Sequence, residues 1–143
     1  MGNADDRHSA IRDIVRTQTI RTQNELVALL KKRGIRCTQA TVSRDITELH
    51  LRKLAEGYYI LEEDLNLQFV LSEFVVNAMR AEGLVVVHTQ PDTAGNVASA
   101  IDGAHLEHVL GTIAGTDTVF VATDSKEGSH EVYSLIMKLG TIA

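Results

Sequence analysis

Apolar positions recur with the period of an α-helix in two segments near the start of the chain. The first segment, from about residue 6 to residue 16, has its apolar residues on one face at Ile11, Ile14 and Val15. The second segment begins after Thr22, whose hydroxyl suits a helix N-cap, and Glu25 three positions later completes a capping box. Gly34 follows a basic last turn and marks its end. The pattern predicts two short helices joined by a turn.

A third helical segment follows closely and has one polar face. It begins after Thr38 in the stretch TQATVSRDITELH, where Val42, Ile46 and Leu49 recur at spacings of four and three. Two helices joined by a tight turn, the second of them polar at its start, are typical of a helix-turn-helix. The spacing alone is a weak indication, because many small helical bundles also carry polar exposed faces.

The stretch LRKLAEGYYIL, residues 51–61, predicts two short strands around the turn Glu56-Gly57. Arg52 and Lys53 stand at the start of the first strand. A basic hairpin directly after a polar-faced helix forms the wing of a winged helix-turn-helix, and such a wing reaches the DNA backbone or minor groove. The hairpin therefore strengthens the prediction of DNA binding.

The polar side chains at the start of the third helix have the chemistry to contact a DNA groove. They are Gln39, Thr41, Ser43 and Arg44. Arg44 can donate a pair of hydrogen bonds to guanine or phosphate, and Gln39 can pair with adenine. The hydroxyl groups can meet base edges or phosphates. We predict that these residues bind DNA together with Arg52 and Lys53. Their presence argues against the alternative of a small-molecule-binding protein that has lost DNA binding.

The second half of the chain predicts the element order α-β-α-β-β-α after a charged junction at 62–64. An amphipathic helix is expected from 66 to 82, ending at Gly83, with its apolar residues on one side at Leu67, Val70, Leu71, Phe74, Val75 and Met79. Strands are expected at 84–89, about 109–114 and about 118–123, a short helix from 93 to Asp102, and a final helix from Gly128 to about Leu139. Three strands under two helical faces make a small core, so partner subunits are expected to cover part of it.

These elements predict an α+β protein of two domains. Residues 1–63 are expected to form a winged helix-turn-helix domain, and residues 64–143 a two-layer α/β oligomerisation and effector-binding domain. Charge separates in the same way: residues 1–61 carry 11 Lys or Arg against 7 Asp or Glu, and residues 62–143 carry 3 against 12. A basic half joined to an acidic half indicates that only the first half meets a polyanion.

Composition narrows the class of protein further. The 143 residues are 44% hydrophobic and 23% charged, which is ordinary for a soluble globular chain. No apolar run reaches the length of a membrane span, and the N-terminus lacks the form of a signal peptide. The lone Cys37 cannot form an internal disulfide. We therefore expect a cytoplasmic protein without a membrane partner.

The sequence gives little support to an enzyme or a metalloprotein. It contains no Gly-rich phosphate loop, nucleophile elbow or cysteine-based metal pattern. Asp102, His105 and His108 stand three residues apart and could bind a metal if helical, but Gly103 interrupts that helix. We expect neither catalytic residues nor a metal site.

Three stretches of the chain together resemble the bacterial arginine repressor family. TQATVSRDITEL with the following LRKL is similar to the family's recognition helix and the start of its wing. GTIAGTDTVF, residues 111–120, is similar to its effector-site signature, and HTQPDTAGNVASAID to its Pro-Gly-x-Ala-Gln segment and the next helix. The resemblance covers about residues 7 to 140.

The resemblance implies a regulator of arginine metabolism that represses synthesis or activates breakdown. It implies trimers that pair into hexamers, palindromic double-stranded DNA operators, and L-arginine as a corepressor bound between the trimers. The family's Ser-Arg pair falls on Ser43 and Arg44, and its effector-site carboxylates fall on Asp102 and on the pair Thr116-Asp117. An Asp at position 117 is also favoured by a turn alone, so both interpretations stay open.

Three positions depart from the family pattern near the implied effector site. Thr116 stands where the family usually has Asp, Asp92 where it has Gly, and Gly95 where it has Gln. A desolvated charge pair that loses one partner commonly costs about 2–5 kcal/mol. Asp92 and Asn96 are the residues that could compensate. The sequence therefore leaves open a regulator weakly responsive to arginine, one responsive to another small molecule, and one that needs no effector.

Overall fold

The chain folds into two units in a computed structural model that describes residues 2–140, with side chains described from residue 4. The units comprise residues 1–62 and 63–143, a division one residue before the boundary expected from the sequence. The first unit is mainly helical with one hairpin, and the second is a four-stranded sheet with helices. The predicted α+β fold class is confirmed.

The first unit has the order of elements that the sequence predicts. It contains α1 (Gly2–Thr17), α2 (Gln23–Lys32), α3 (Gln39–Glu48), β1 (Leu51–Lys53) and β2 (Tyr59–Leu61). The capping box is present, since Glu25 donates its backbone N–H to the Thr22 hydroxyl at 3.1 Å and accepts the Thr22 N–H at 2.9 Å. The core draws on all three helices and both strands, with the buried residues Ile11, Ile14, Val15, Ile20, Leu26, Leu30, Val42, Leu51 and Leu61.

The hairpin pairs antiparallel, with Leu51 opposite Leu61. Gly57 in its turn has a φ of +95°, a conformation that L side chains rarely adopt, so a glycine is required there. The Tyr59 N–H also donates to the carbonyl of Ile20 at 2.9 Å, which ties β2 to the segment before α2. The wing is therefore attached to the helical core through β2.

The second unit is built on an antiparallel sheet of strand order β3-β4-β6-β5. Its elements are α4 (Leu65–Phe74), β3 (Val75–Ala81), β4 (Leu84–Thr89), α5 (Ala94–Gly103), β5 (Val109–Ala114), β6 (Thr118–Thr123) and α6 (Lys126–Leu139). A short 3-10 turn, Glu62–Asp64, precedes α4. Burial lowers the pKa of Lys138 to about 8, and the negative charge of Asp64 works in the opposite direction.

The prediction of one helix from 66 to 82 is wrong beyond Phe74. Residues 75–81 form β3, which pairs with β4 from Val75 opposite Thr89 to Ala81 opposite Leu84. Residues 67–74 have helical periodicity, but Val75-Val76 are β-branched and favour a strand. A strand with an adjacent partner gains a ladder of hydrogen bonds that periodicity within one segment does not reveal. The sheet thus has four strands among the described residues instead of the three expected.

The two faces of the sheet have different environments. Val85, Val87, Val119 and Val121 are fully buried on the face that the helices cover. On the other face, one row crosses all four strands, since Met79 lies opposite Val86, Val86 opposite Phe120, and Phe120 opposite Ile113. We call these four residues the free-face row. Within a single chain, three of them are at least half exposed.

His108 connects the end of β6 to α6. Its Nδ1 lies 3.1 Å from both carboxylate oxygens of Asp124, and its Nε2 lies 3.0 Å from Glu131. The hydrogen bond with Asp124 raises the pKa of His108 above its usual 6.5. Since the folded state holds the proton more tightly, this contact stabilises fully below pH 6.5 and fades as the pH rises through the raised pKa.

We predict that Gly128→Ala lowers the free energy of unfolding. A Cβ at Gly128 in α6 would lie 2.5 Å from Asp124 Oδ1 and 2.8 Å from His108 Cβ, so the contact must shift. Overpacking of this kind typically costs about 1–3 kcal/mol. The control is Gly103→Ala at the end of α5, where a Cβ meets nothing within 4 Å. Thermal unfolding of both variants checks this, and equal melting temperatures would contradict it.

Candidate nucleic-acid interface and effector site

The start of α3 presents Ser43 and Arg44 to solvent. The same helix buries Val42 completely and half-buries Ile46. Thr38 caps its N-terminus, because its hydroxyl accepts the Thr41 N–H at 3.2 Å. The free N–H groups of this end favour anions such as phosphate. The helix therefore exposes its polar face as the sequence predicts, and contact of these side chains with DNA stays a prediction.

Two of the predicted DNA-binding residues are engaged within the unit. The Thr41 hydroxyl lies 3.1 Å from the Thr38 hydroxyl and Thr41 is half-buried, so its side chain supports the helix start. Gln39 is exposed and donates to the Gln23 side chain at 3.3 Å, which joins the starts of α2 and α3. Of the four residues predicted on α3, Gln39, Ser43 and Arg44 are the most accessible.

The wing positions the other two predicted residues. Lys53 Nζ lies 5.4 Å from the centre of the Tyr59 ring, and Arg52 lies 3.8 Å from a Glu62 carboxylate oxygen in an exposed pair. Arg21 donates to the carbonyl of Glu56 at 3.0 Å and thereby holds the hairpin turn. Exposed pairs contribute little energy, so Arg52 and Lys53 stay available to phosphate groups.

The turn that contains Thr116 and Asp117 lies against the start of α5. The Ala94 N–H donates to the carbonyl of Thr116 at 3.3 Å, and the Thr89 N–H donates to that of Asp117 at 2.8 Å. Asp92, Gly95 and Asn96 flank Ala94 along the chain, and all three are exposed. The structure thus brings five of the six predicted effector residues to one end of the sheet. They are Asp92, Gly95, Asn96, Thr116 and Asp117.

Asp102 lies at the other end of α5. It follows Ala94 by eight residues, which corresponds to about 12 Å along a helix. Its carboxylate accepts a hydrogen bond from the Thr112 hydroxyl of β5 at 2.8 Å. Within one chain, Asp102 is therefore separated from the turn at 116–117.

Asp92 has a φ of 65°, in the left-handed region. Glycine adopts this region freely, and Asp is among the few other residues that tolerate it. The family that the sequence resembles usually has glycine at this position. The left-handed backbone explains that preference, and it also explains why Asp can replace the glycine. The exchange adds a carboxylate two residues before Ala94, whose N–H donates to Thr116, without requiring a different turn.

One group of described side chains has the spacing of a metal site, namely His8, Asp45 and Glu48. Arg7 donates to both carboxylate oxygens of Asp45, at 2.5 and 3.0 Å, so the charge of Asp45 is already balanced by a guanidinium. Asp102, His105 and His108 do not form a helical metal site, because α5 ends at Gly103. Within residues 2–140, no helix has both the length and the apolar character needed to cross a membrane.

Two family models match the chain. The DNA binding domain of the arginine repressor matches residues 3–67, and the C-terminal domain of the arginine repressor matches residues 71–138. The chain belongs to the arginine repressor family. The matched regions correspond to the two structural units, so the fold of each unit is that of a family domain.

Curated relatives agree with this family membership. An arginine repressor of Koribacter versatilis is 42% identical over 141 residues, covering 93% of this chain and 95% of the relative. That of Halothermothrix orenii is 38% identical, with 93% and 96% covered. That of Thermus thermophilus is 40% identical, with 91% and 86% covered. This family member is therefore similar to arginine repressors over nearly its whole length.

Sequence reasoning missed the residues that hold α3 and the wing in place. Arg7 and His8 bind the buried carboxylate of Asp45, and Arg21 binds the hairpin turn. Asp45 stands three residues after Val42 and four before Leu49, so it lies on the buried face of α3. A charged residue on that face predicts a buried partner, but the spacing does not identify it.

We predict that Arg44→Ala abolishes specific operator binding by this family member and leaves its fold and assembly intact. Loss of a bidentate base contact costs about 1–3 kcal/mol, and any phosphate contact adds to that. Mobility-shift titrations at physiological salt measure the effect. Lys32→Ala removes one exposed positive charge outside α3 and serves as the control, since it should weaken operator and random DNA equally. Unchanged operator affinity would place Arg44 outside the interface.

Proposed function

We propose that this protein is a transcriptional regulator of arginine metabolism that binds palindromic operators in the cytoplasm. The observation that carries the proposal is the exposed polar start of α3, followed directly by a basic wing, within the residues matched by the family's DNA binding domain. Ser43 and Arg44 contact base edges, and Arg52 and Lys53 contact phosphates. Palindromic operators follow from symmetric pairing of subunits.

The same proposal includes self-association of the second unit into trimers that pair into hexamers. Its support is the free-face row, in which Met79 is 57%, Phe120 50% and Ile113 76% exposed within one chain. Exposed apolar side chains that adjoin one another across four strands mark a surface that another protein covers. Burying them against partner subunits would release about 25 cal/mol per Å² of apolar surface.

We further propose that the effector binds at the turn formed by residues 115–117, and that L-arginine is a corepressor of reduced affinity. Asp117 offers one carboxylate, whereas Thr116 supplies no charge. Asp92 offers a second carboxylate two residues before Ala94, whose N–H donates to the carbonyl of Thr116. Asp102 contributes from another subunit, since it lies too far along α5 to join this turn within one chain.

A second candidate is a regulator of the same fold that responds to a different small molecule. Two observations favour it. Thr116 supplies a neutral hydroxyl, and a Cβ at the exposed Gly95 would meet nothing within 4 Å. This end of α5 has room and less negative charge than two adjacent carboxylates would supply. Calorimetry with ornithine, citrulline and lysine distinguishes this candidate from the arginine response.

We predict that Thr116→Asp strengthens arginine binding at least about tenfold, or by about 1.4 kcal/mol. The guanidinium loses water on binding, and a correctly placed carboxylate offsets that loss. Calorimetric titration of the wild-type chain and the variant measures the change. Ser72→Asp adds the same charge on the exposed side of α4 and should leave the affinity unchanged. Tight wild-type binding with no gain in Thr116→Asp would show that Asp92 or Asn96 already supplies the contact.

We also predict that Phe120→Glu dissociates the assembly of the full chain. Phe120 lies at the centre of the free-face row, and a buried unpaired carboxylate there would be strongly unfavourable in an interface. Sedimentation at micromolar concentration should show smaller species than the wild type, with unchanged circular dichroism. Ser72→Glu, which adds the same charge outside the row, should keep the wild-type assembly. Wild-type sedimentation of Phe120→Glu would mean that the chain associates through another surface.

A further inference from the structure

The carboxylate of Asp45 is buried directly behind the proposed DNA-contacting residues. It follows Arg44 in the chain, and only 2% of its surface is exposed. Among the described residues of the first unit, it is the only acidic or basic residue that is fully buried. A buried charge is costly unless it is paired, so the position needs a specific partner.

Asp45 receives donors on both of its oxygens from α1. Arg7 Nε lies 2.5 Å from Oδ2, and a terminal nitrogen of Arg7 lies 3.0 Å from Oδ1. His8 Nε2 lies 2.8 Å from Oδ1. Burial works to raise the pKa of Asp45, but hydrogen bonds from Arg7 and His8 outweigh it and the pKa is lowered. Asp45 is therefore a charged carboxylate held by a fork of fixed geometry.

This bidentate pair gives α3 a directional contact, which its apolar contacts do not provide. Val42, Ile46 and Leu49 bury surface, and burial of apolar surface has no preferred direction. A bidentate pair has a preferred plane and distance, so it resists both rotation of the helix about its axis and sliding along it. Because successive residues of a helix are about 100° apart, the direction of Asp45 sets the directions of Ser43 and Arg44.

We propose that Asp45 is the positioning residue of the recognition helix, and that Arg7 holds it so that Arg44 meets bases and not only phosphates. The proposal rests on the proposed function, in which α3 contacts DNA. Contacts with phosphate tolerate a small rotation of α3, whereas a bidentate contact with a base does not. Asp45 therefore contributes to discrimination between sequences without touching DNA.

The test compares Asp45→Asn in the full chain with Glu48→Gln. Both changes remove one negative charge from α3. Glu48 is exposed, lies 3.7 Å from His8 and acts on Arg7 only through its charge, whereas Asp45 holds Arg7 by two hydrogen bonds. The probes are a palindromic duplex selected by the wild-type chain from a random library, and a shuffled duplex of equal length. L-Arginine is present in every titration. The ratio of the two affinities is measured, together with the fraction of folded protein.

We expect Asp45→Asn to reduce this ratio at least tenfold, mainly through weaker binding to the selected duplex. Binding to the shuffled duplex should be unchanged or slightly tighter, because one negative charge is removed. Glu48→Gln should keep the wild-type ratio. Arg7→Lys retains the positive charge but loses the fork, so it should also reduce the ratio, and it serves as the test if Asp45→Asn does not fold.

Three results would overturn the inference. The first is that Asp45→Asn keeps the wild-type ratio of affinities for the selected and shuffled duplexes. Where that variant does not fold, the same result in Arg7→Lys counts. Another is an equal loss of both affinities that follows the folded fraction, which would make Asp45 a residue of stability alone. A third is an equal reduction of the ratio in Glu48→Gln. Failure of the wild-type chain to select any duplex would instead contradict the proposed function, so the two failures are distinguishable.

Discussion

A four-stranded antiparallel sheet whose helices cover only one face leaves the other face to solvent or to another chain. In the second unit, Val85, Val87, Val119 and Val121 face the helices and are buried. The free-face row on the opposite side has the same apolar character without cover in a single chain. In the proposed assembly, partner subunits cover this row and complete the burial that one chain of this size leaves unfinished.

The first unit faces a different constraint, because a short recognition helix must be held without covering its polar face. α3 has ten residues and buries few large side chains. The N-cap hydrogen bond holds one end of α3, and the Arg7–Asp45 pair holds the side that faces α1. Both are directional polar contacts. The exposed face therefore stays free for the side chains proposed to contact DNA, while contacts on the opposite face of α3 set its orientation.

The proposed effector site combines elements that have separate roles in the fold. The turn at 115–117 joins β5 to β6, and its carbonyl groups accept hydrogen bonds from the ends of β4 and the start of α5. The left-handed backbone at Asp92 places a carboxylate on the adjoining loop. Changes in the side chains at these positions alter the charge offered to a ligand and leave the backbone contacts in place. Effector specificity can therefore vary while the sheet and its assembly persist.

The local elements and the chemistry of the exposed residues could be predicted from the amino-acid sequence alone. Capping at Thr22 and Thr38, the hairpin around Gly57, and the helical face of Val42 follow from interactions within a few residues, which a linear pattern contains. The exposed positions of Ser43, Arg44 and Asp117 follow from the same patterns. The family resemblance added the expected roles of these residues.

Contacts between residues that are distant in the chain could not be predicted in this way and follow from the folded structure. Residues 75–81 became a strand because β4 supplies a hydrogen-bonding neighbour, and no pattern within the segment contains that neighbour. Asp45 is hydrogen-bonded to Arg7, which lies 38 positions earlier in the chain. The turn at 116–117 is hydrogen-bonded to the start of α5, whereas Asp102 lies at the other end of that helix. These pairings depend on packing across the whole unit. Local propensity limits the secondary structures that a segment can adopt. Packing against a neighbouring element, which buries the segment, selects one of them.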